Sequence, residues 1–143
     1  MSTVSSDSHT WNLVFLELLL EELGYEVVNL GACVPDEVLI DEIRANRPDV
    51  VVISSVNGHG HIDGARLIGS LRASHDRAAS EVPVLIGGKL GIHGTADTGL
   101  TDGLMAAGFD AVFTEGADAT ELGGAMLRLT GAAQPADFEA VPA

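Results

Sequence analysis

Basic side chains are scarce in this chain, with seven Lys and Arg against 21 Asp and Glu and a formal net charge of −14. Nucleic acids and anionic membrane surfaces are held by Lys and Arg that neutralise phosphates, so the composition excludes both as partners. Cysteine is almost missing. The lone Cys33 cannot form an internal disulfide, and its neighbours Ala32 and Val34 supply no base or cation, so it reads as a small packed or loop residue rather than a nucleophile. There is no apolar run of about 18 residues to cross a bilayer and no basic-then-apolar leader, and a cytoplasmic protein is expected. Also absent are a Gly-x-Gly-x-x-Gly after the first strand and a Walker lysine, which removes the common phosphate-binding nucleotide folds. What remains is 143 residues at 46% hydrophobic content, enough for one domain with a real core.

Two periodicities alternate along the chain. Thr3 and Val4 begin a short first strand, to which only a few residues lead in; a natural N-terminus longer than this one is an expectation. Trp11 to Leu23 places Leu13, Leu16, Leu20 and Leu23 on one helical face with Phe15 and Leu19 beside it, predicting a mostly buried helix stopped by Gly24. Tyr25 to Leu30 predicts a strand. Pro35, Asp36 and Glu37 open a second helix that runs to Asn46, with the acids where the helix dipole favours them. Val50 to Val56 has the unbroken apolar start of a parallel strand covered on both faces. A flexible loop, Asn57-Gly58-His59-Gly60-His61, and a helix from Asp63 to Ala73 follow. Residues 74–81 read as a polar connection, Val82 to Ile86 as a strand ending in Gly87-Gly88, and Lys89 to Thr98 as a long Gly/Thr-rich loop. The remaining elements are a helix over Leu100 to Ala107, a strand over Phe109 to Thr114 and a helix over Asp118 to Leu129. Five strands alternating with five helices predict a flavodoxin-like, doubly wound parallel sheet in the order 2-1-3-4-5. The domain spans 1–130, and 131–143 is expected to be a disordered tail.

The first strand-to-helix turn carries the chemistry. Asp7 stands two residues before His9, so its carboxylate can hold one ring nitrogen and leave the other as a metal ligand. As a competing reading, Asp7 or Ser8 caps the helix and His9 is a solvated loop residue. In the expected strand order the ends of strands one, three and four converge, bringing Asp7 and His9 to Ser54–Gly60 and Gly87–Gly94. Small side chains in all three places leave room for something large.

Asp7-Ser8-His9-Thr10-Trp11-Asn12, then Ser54-Ser55-Val56, then Gly87-Gly88 resemble the Asp-x-His-x-x-Gly, Ser-x-Leu and Gly-Gly signature of cobalamin-binding domains. The similarity spans Val4 to Leu129. Segments such as Gly24 to Gly31, Val52 to Gly60 and Ala107 to Asp110 look like the small subunits of the glutamate (methylaspartate) mutase family. The resemblance implies adenosylcobalamin bound with its dimethylbenzimidazole tail displaced from cobalt. His9 would be the cobalt axial ligand, Asp7 would hold its other nitrogen, Ser54 would hydrogen-bond the displaced base, and Gly87 and Gly88 would flank the tail. The implied cofactor-binding set is Asp7, Ser8, His9, Thr10, Asn12, Ser54, Ser55, Val56, Asn57, Gly58, Gly87, Gly88 and Lys89, with no catalytic residue in this chain. Two positions depart from the signature: Val56 replaces Leu, and Asn12 replaces Gly, placing a side chain where tail atoms are expected to pass.

The same resemblance implies a separate large TIM-barrel mutase subunit that holds the small-molecule amino-acid substrate. A dicarboxylic amino acid calls for arginine forks, and the six arginines, at 44, 47, 66, 72, 77 and 128, fall in predicted helices or their flanking connections, off the cofactor edge. A stand-alone corrinoid carrier or a cobalamin-sensing module uses the same signature, but resembles proteins with an added helical bundle or DNA-reading domain. Elsewhere, His59 and His61 would need further ligands to bind zinc and read instead as part of a mobile loop over the tail or partner. His75 and His93 read as loop residues, Lys89 taken alone as a solvated charge, and Asp97 and Asp102 as cap or loop acids.

Overall fold

The run Val51–Ser55 is buried at all of its positions, as expected of a strand paired on both edges and covered on both faces. In the computed structural model, which describes residues 1–90, 98–114 and 119–131, this run is β2. It pairs in parallel with β1 (Ser2–Thr3) and β3 (Val84–Gly88), and β4 (Ala111–Phe113) pairs with β3, giving the sheet order β1-β2-β3-β4. Ser54 lies opposite Gly87 and Ser55 opposite Gly88.

Six helices connect and flank these strands among the described residues: α1 (Trp11–Glu22), α2 (Asp36–Asn46), α3 (Gly60–Arg72), α4 (Arg77–Ser80), α5 (Thr98–Ala107) and α6 (Ala119–Thr130). Strand side chains alternate between two faces. Val51, Ile53, Val84 and Ile86 pack with Leu39 and Ile43 of α2, Leu67, Ile68 and Leu71 of α3, and Leu104 of α5. Val52, Leu85 and Ala111 pack on the other side with Leu20 of α1 and Ala125 and Met126 of α6. The result is a flavodoxin-like, doubly wound α/β layer structure.

Several expectations are corrected. The sheet has four strands rather than five, because Tyr25 to Leu30 forms no strand. That segment still runs along β1: the Met1 amine donates to Val28 O at 2.9 Å, Leu30 N–H to Met1 O at 2.9 Å and Thr3 N–H to Gly31 O at 3.3 Å. A neighbour as short as Ser2–Thr3 offers too few backbone groups for a full ladder, and Glu26, Val28 and Asn29 are exposed. Within the supposed polar connection 74–81 lies α4, whose start is capped by Asp76 Oδ1 accepting from Ala78 N–H at 2.8 Å. Helix α3 starts at Gly60, so Gly60 and His61 belong to it and not to a loop. Strand β3 ends in Gly87 and Gly88 as expected but starts at Val84 rather than Val82.

Helix α1 is not mostly buried. It ends at Gly24 (φ 97°), where Tyr25 N–H reaches Leu20 O and Gly24 N–H reaches Glu21 O, a Schellman closure. Because α1 packs against a single sheet face, only Asn12, Leu13 and Leu20 are fully covered, while Trp11, Val14, Phe15 and Leu18 are 67, 53, 65 and 61% exposed. Those four residues are spaced i, i+3, i+4 and i+7, forming one continuous apolar stripe. Residues 91–97 of the expected Gly/Thr-rich loop, with His93 and Asp97, lie outside the described residues, as do Asp118 and 132–143 of the expected tail.

Candidate functional site

The turn after β1 is organised by one buried carboxylate. Asp7 is fully buried, and a buried charge needs its lone pairs filled. Its Oδ1 accepts the His9 backbone N–H at 3.0 Å and stands 2.6 Å from His9 Nδ1. Its Oδ2 accepts the backbone N–H of Val56 at 2.7 Å and of Asn57 at 3.2 Å. Burial by itself would raise the Asp7 pKa. The hydrogen bonds from the backbone of His9 and Val56, with the His9 ring, outweigh it and hold the carboxyl below its ordinary value. An ionised carboxylate can only accept, so Nδ1 of His9 carries the hydrogen of that bond and Nε2 is the ring nitrogen left for a metal. The His9 ring is 46% exposed, which gives an incoming metal access to that nitrogen.

Hydrogen bonds tie the three strand ends together. Asp7 joins the β1 turn to the end of β2, and Gly58 N–H to Lys89 O at 3.2 Å joins β2 to the end of β3. His61 is committed to the same junction, its Nδ1 donating to Leu90 O at 2.8 Å, so it is no part of a mobile loop. His59 is exposed at the start of α3. No three His, Cys, Asp or Glu among the described residues are grouped to hold a metal ion. His75 and Lys89 are exposed outside helices, and Asp102 is an exposed residue inside α5, neither a cap nor a loop acid. Cys33 is an exposed loop residue whose N–H donates to Asp7 O.

The other expected site residues divide by burial. Ser8 and Thr10 are exposed, Val56 and Asn57 partly buried, and Ser55 and Gly58 buried. Asn12 and Ser54, both buried, are joined: Asn12 Nδ2 donates to Ser54 Oγ at 2.6 Å, and Asn12 Oδ1 is left without a partner. The glycine pair serves the protein's own packing. A Cβ on Gly88, which has φ 115°, would stand 2.2 Å from Ser55 O, and one on Gly87 would stand 3.2 Å from Phe113 Cβ.

A second polar network was not legible in the sequence. Ser6 Oγ donates to Asp63 Oδ2 and accepts from Asn57 Nδ2 at 3.0 Å. Arg66 donates to Asp36 Oδ2 at 2.8 Å, Asp63 Oδ1 at 3.0 Å and Ser5 Oγ at 2.7 Å. Arg66 thus reaches the β1 turn after all, contrary to the expectation that every arginine lies away from it, but as a brace on Ser5 with its donors engaged. Nothing in the local pattern signals this, since Asp36, Asp63 and Ser5 are far apart in the chain.

Comparison with known proteins decides what this arrangement belongs to. The model of the B12 binding domain matches residues 1–122. The chain belongs to the B12-binding domain family. Among relatives of this B12-binding chain, glutamate mutase sigma subunit 1 of Haloarcula marismortui is 30% identical over 122 residues, covering 85% of this chain and 78% of that one. The glutamate mutase sigma subunit of Fusobacterium nucleatum is 26% identical over 116 residues, covering 81 and 83%. In fold, the chain is similar to a cobalamin-binding protein from Desulfitobacterium hafniense, with TM-score 0.69 and 21% identity over 90% of this chain and 56% of that one. A putative response regulator from Chloroflexus aurantiacus gives TM-score 0.68 at 21% identity, over 92% of this chain and 96% of that one. The shared layer architecture alone therefore does not separate corrinoid binders from signalling domains. For a B12-binding domain the donor set fits: His9 offers an accessible imidazole nitrogen of the kind cobalt takes, with a carboxylate behind it.

Proposed function

We propose that this chain is the cobalamin-binding small subunit of an adenosylcobalamin-dependent carbon-skeleton mutase of the glutamate to 3-methylaspartate type, working in the cytoplasm. The observation that carries the reading is the Asp7–His9 pair, in which a buried, four-times hydrogen-bonded carboxylate aims an accessible imidazole nitrogen outward. His9 Nε2 would hold the cobalt in place of the cofactor's own base. Asp7 fixes which ring nitrogen carries the hydrogen and holds the imidazole in orientation. Ser54 and Asn12 form the polar floor for the displaced nucleotide tail, while Val56, Asn57, Gly58 and Lys89 line the adjoining strand ends. Bound adenosylcobalamin supplies a weak carbon–cobalt bond as the radical source.

The chain's own residues do not complete an active site. Arg66, the guanidinium nearest the turn, is occupied by Asp36, Asp63 and Ser5, which leaves no arginine fork among the described residues of this edge to clamp a dicarboxylate. A large barrel subunit supplies that clamp and a dry pocket. The apolar stripe of α1 starts at Trp11, two residues past His9, and supports a partner that covers this edge. Incubating the chain with adenosylcobalamin and glutamate, alone and with a candidate large subunit, tests the assignment. Turnover is expected only with both proteins; turnover by this chain alone, or failure of the two to associate with cofactor present, overturns it.

A further inference from the structure

The atom that the proposed reading gives to the cofactor's lower base is already engaged. Ser54 Oγ accepts from Asn12 Nδ2 at 2.6 Å, and Asn12, at 7% exposure, keeps Oδ1 buried and unpartnered. Buried polar atoms are almost always satisfied, and one that is not invites an explanation such as a ligand that completes it. The pair presents a definite pattern. Ser54, accepting from Asn12, retains its own hydrogen to donate; Asn12 Nδ2 has a second hydrogen; Asn12 Oδ1 is a pure acceptor.

We infer that Asn12 selects the corrinoid by its lower base, favouring a base with an exocyclic amine beside a ring nitrogen, of the adenine type, over dimethylbenzimidazole. The inference rests on the corrinoid-binding reading above and deepens it. An asparagine amide meets adenine with two bonds, Oδ1 accepting from the exocyclic amine and a donor reaching the adjacent ring nitrogen. Here the second donor is Nδ2 or the Ser54 hydroxyl. Dimethylbenzimidazole offers one ring acceptor and two methyl groups, so it satisfies Ser54 but leaves Oδ1 as unpartnered as it is in the free chain and gains no bond there, whereas the adenine amine completes it. Ser55, buried next in β2 and bonded to Asn57, is directed to its own loop and does not compete.

Three corrinoids test this by titration calorimetry and by the shift of the visible spectrum on binding: the adenine cobamide, cobalamin and cobinamide, which has no nucleotide. The wild-type chain should bind the adenine form about tenfold or more tightly than cobalamin, the discrimination one bidentate contact gives. In Asn12→Gly, and in Asn12→Ala, which keeps the helix propensity of α1, the two should fall within about twofold of each other. Cobinamide should bind wild type and both variants alike. With ¹⁵N labelling, the Asn12 side-chain amide signals should move with the adenine cobamide and not with cobinamide. Equal binding of cobalamin and the adenine form by wild type, or a ratio unchanged in both variants, overturns the role of Asn12 while cobinamide binding leaves the His9 reading standing. Failure of all three corrinoids to bind wild type overturns both.

Discussion

Asp7 Oδ2 accepts the backbone N–H of Val56 at 2.7 Å, a bond that spans 49 residues and fixes the β1 turn to the end of β2. One carboxylate therefore sets the position of the turn, the tautomer of His9 and the course of the chain after Ser55.

Replacing Asp7 by Asn should cost about 3 kcal/mol, because an amide turns a donor toward the buried N–H groups of Val56 or Asn57 and the charge-assisted bonds are lost. The wild-type carboxyl titrates below its usual range when folded, so the unfolded state takes up the proton first. Stability is complete above the ordinary carboxylate pKa, about 4, and falls as pH drops through the folded value. Urea melts from pH 6 to pH 3 should show this fall in wild type and a shallower one in the variant. Corrinoid affinity should drop about 10- to 100-fold, as for other partners behind a metal-bound histidine.

His9→Ala should leave the fold intact, because the ring is half exposed and bonds only Asp7. Corrinoid binding should weaken without vanishing. In the Co(II) form, electron paramagnetic resonance with ¹⁵N-histidine labelling should show nitrogen coupling in wild type and none in the variant; an unchanged spectrum rejects His9 as the ligand.

Gly88→Ala and Gly69→Ala should move stability in opposite directions. At Gly88 a Cβ meets Ser55 O at 2.2 Å with φ at 115°, so alanine should cost about 3 kcal/mol or more. At Gly69, on the exposed side of α3 with nothing within 4 Å, alanine should add about 0.5–1 kcal/mol through helix propensity. Thermal melts of the two variants check both signs.

The α1 stripe should carry binding rather than folding. Phe15→Ser and Leu18→Ser, at positions 65 and 61% exposed, should shift stability by no more than about 0.5 kcal/mol. Affinity for the large subunit should fall by about tenfold or more, the loss expected at an aromatic anchor. Sedimentation of mixtures showing full association of both variants would remove α1 from the interface.

The sequence by itself determined the elements whose signals are local. The apolar run of β2 and the periods of α1, α2, α3 and α5 lie within single stretches, as does the Asp7–His9 pairing, since residues two apart in a turn meet in almost any fold. Tertiary structure decided the rest. Tyr25 to Leu30 has strand-like residues but lies beside a β1 of only two residues, and α1 has leucines enough for burial but one sheet face to cover it. Arg72 looks like a surface helix residue, yet its guanidinium holds Val82 O at 2.6 Å, Gly108 O at 3.0 Å and Asp110 Oδ2 at 2.9 Å. That Gly87 and Gly88 stand against Phe113 and the Ser55 carbonyl depends on the neighbouring strands β4 and β2. Asn12 marked a departure from a motif, and only the 42-residue separation closed by its bond to Ser54 turned that departure into a polar site with one acceptor to spare. Each of these depends on which distant backbone or side chain ends up alongside, a quantity that periodicity and spacing along the chain do not contain.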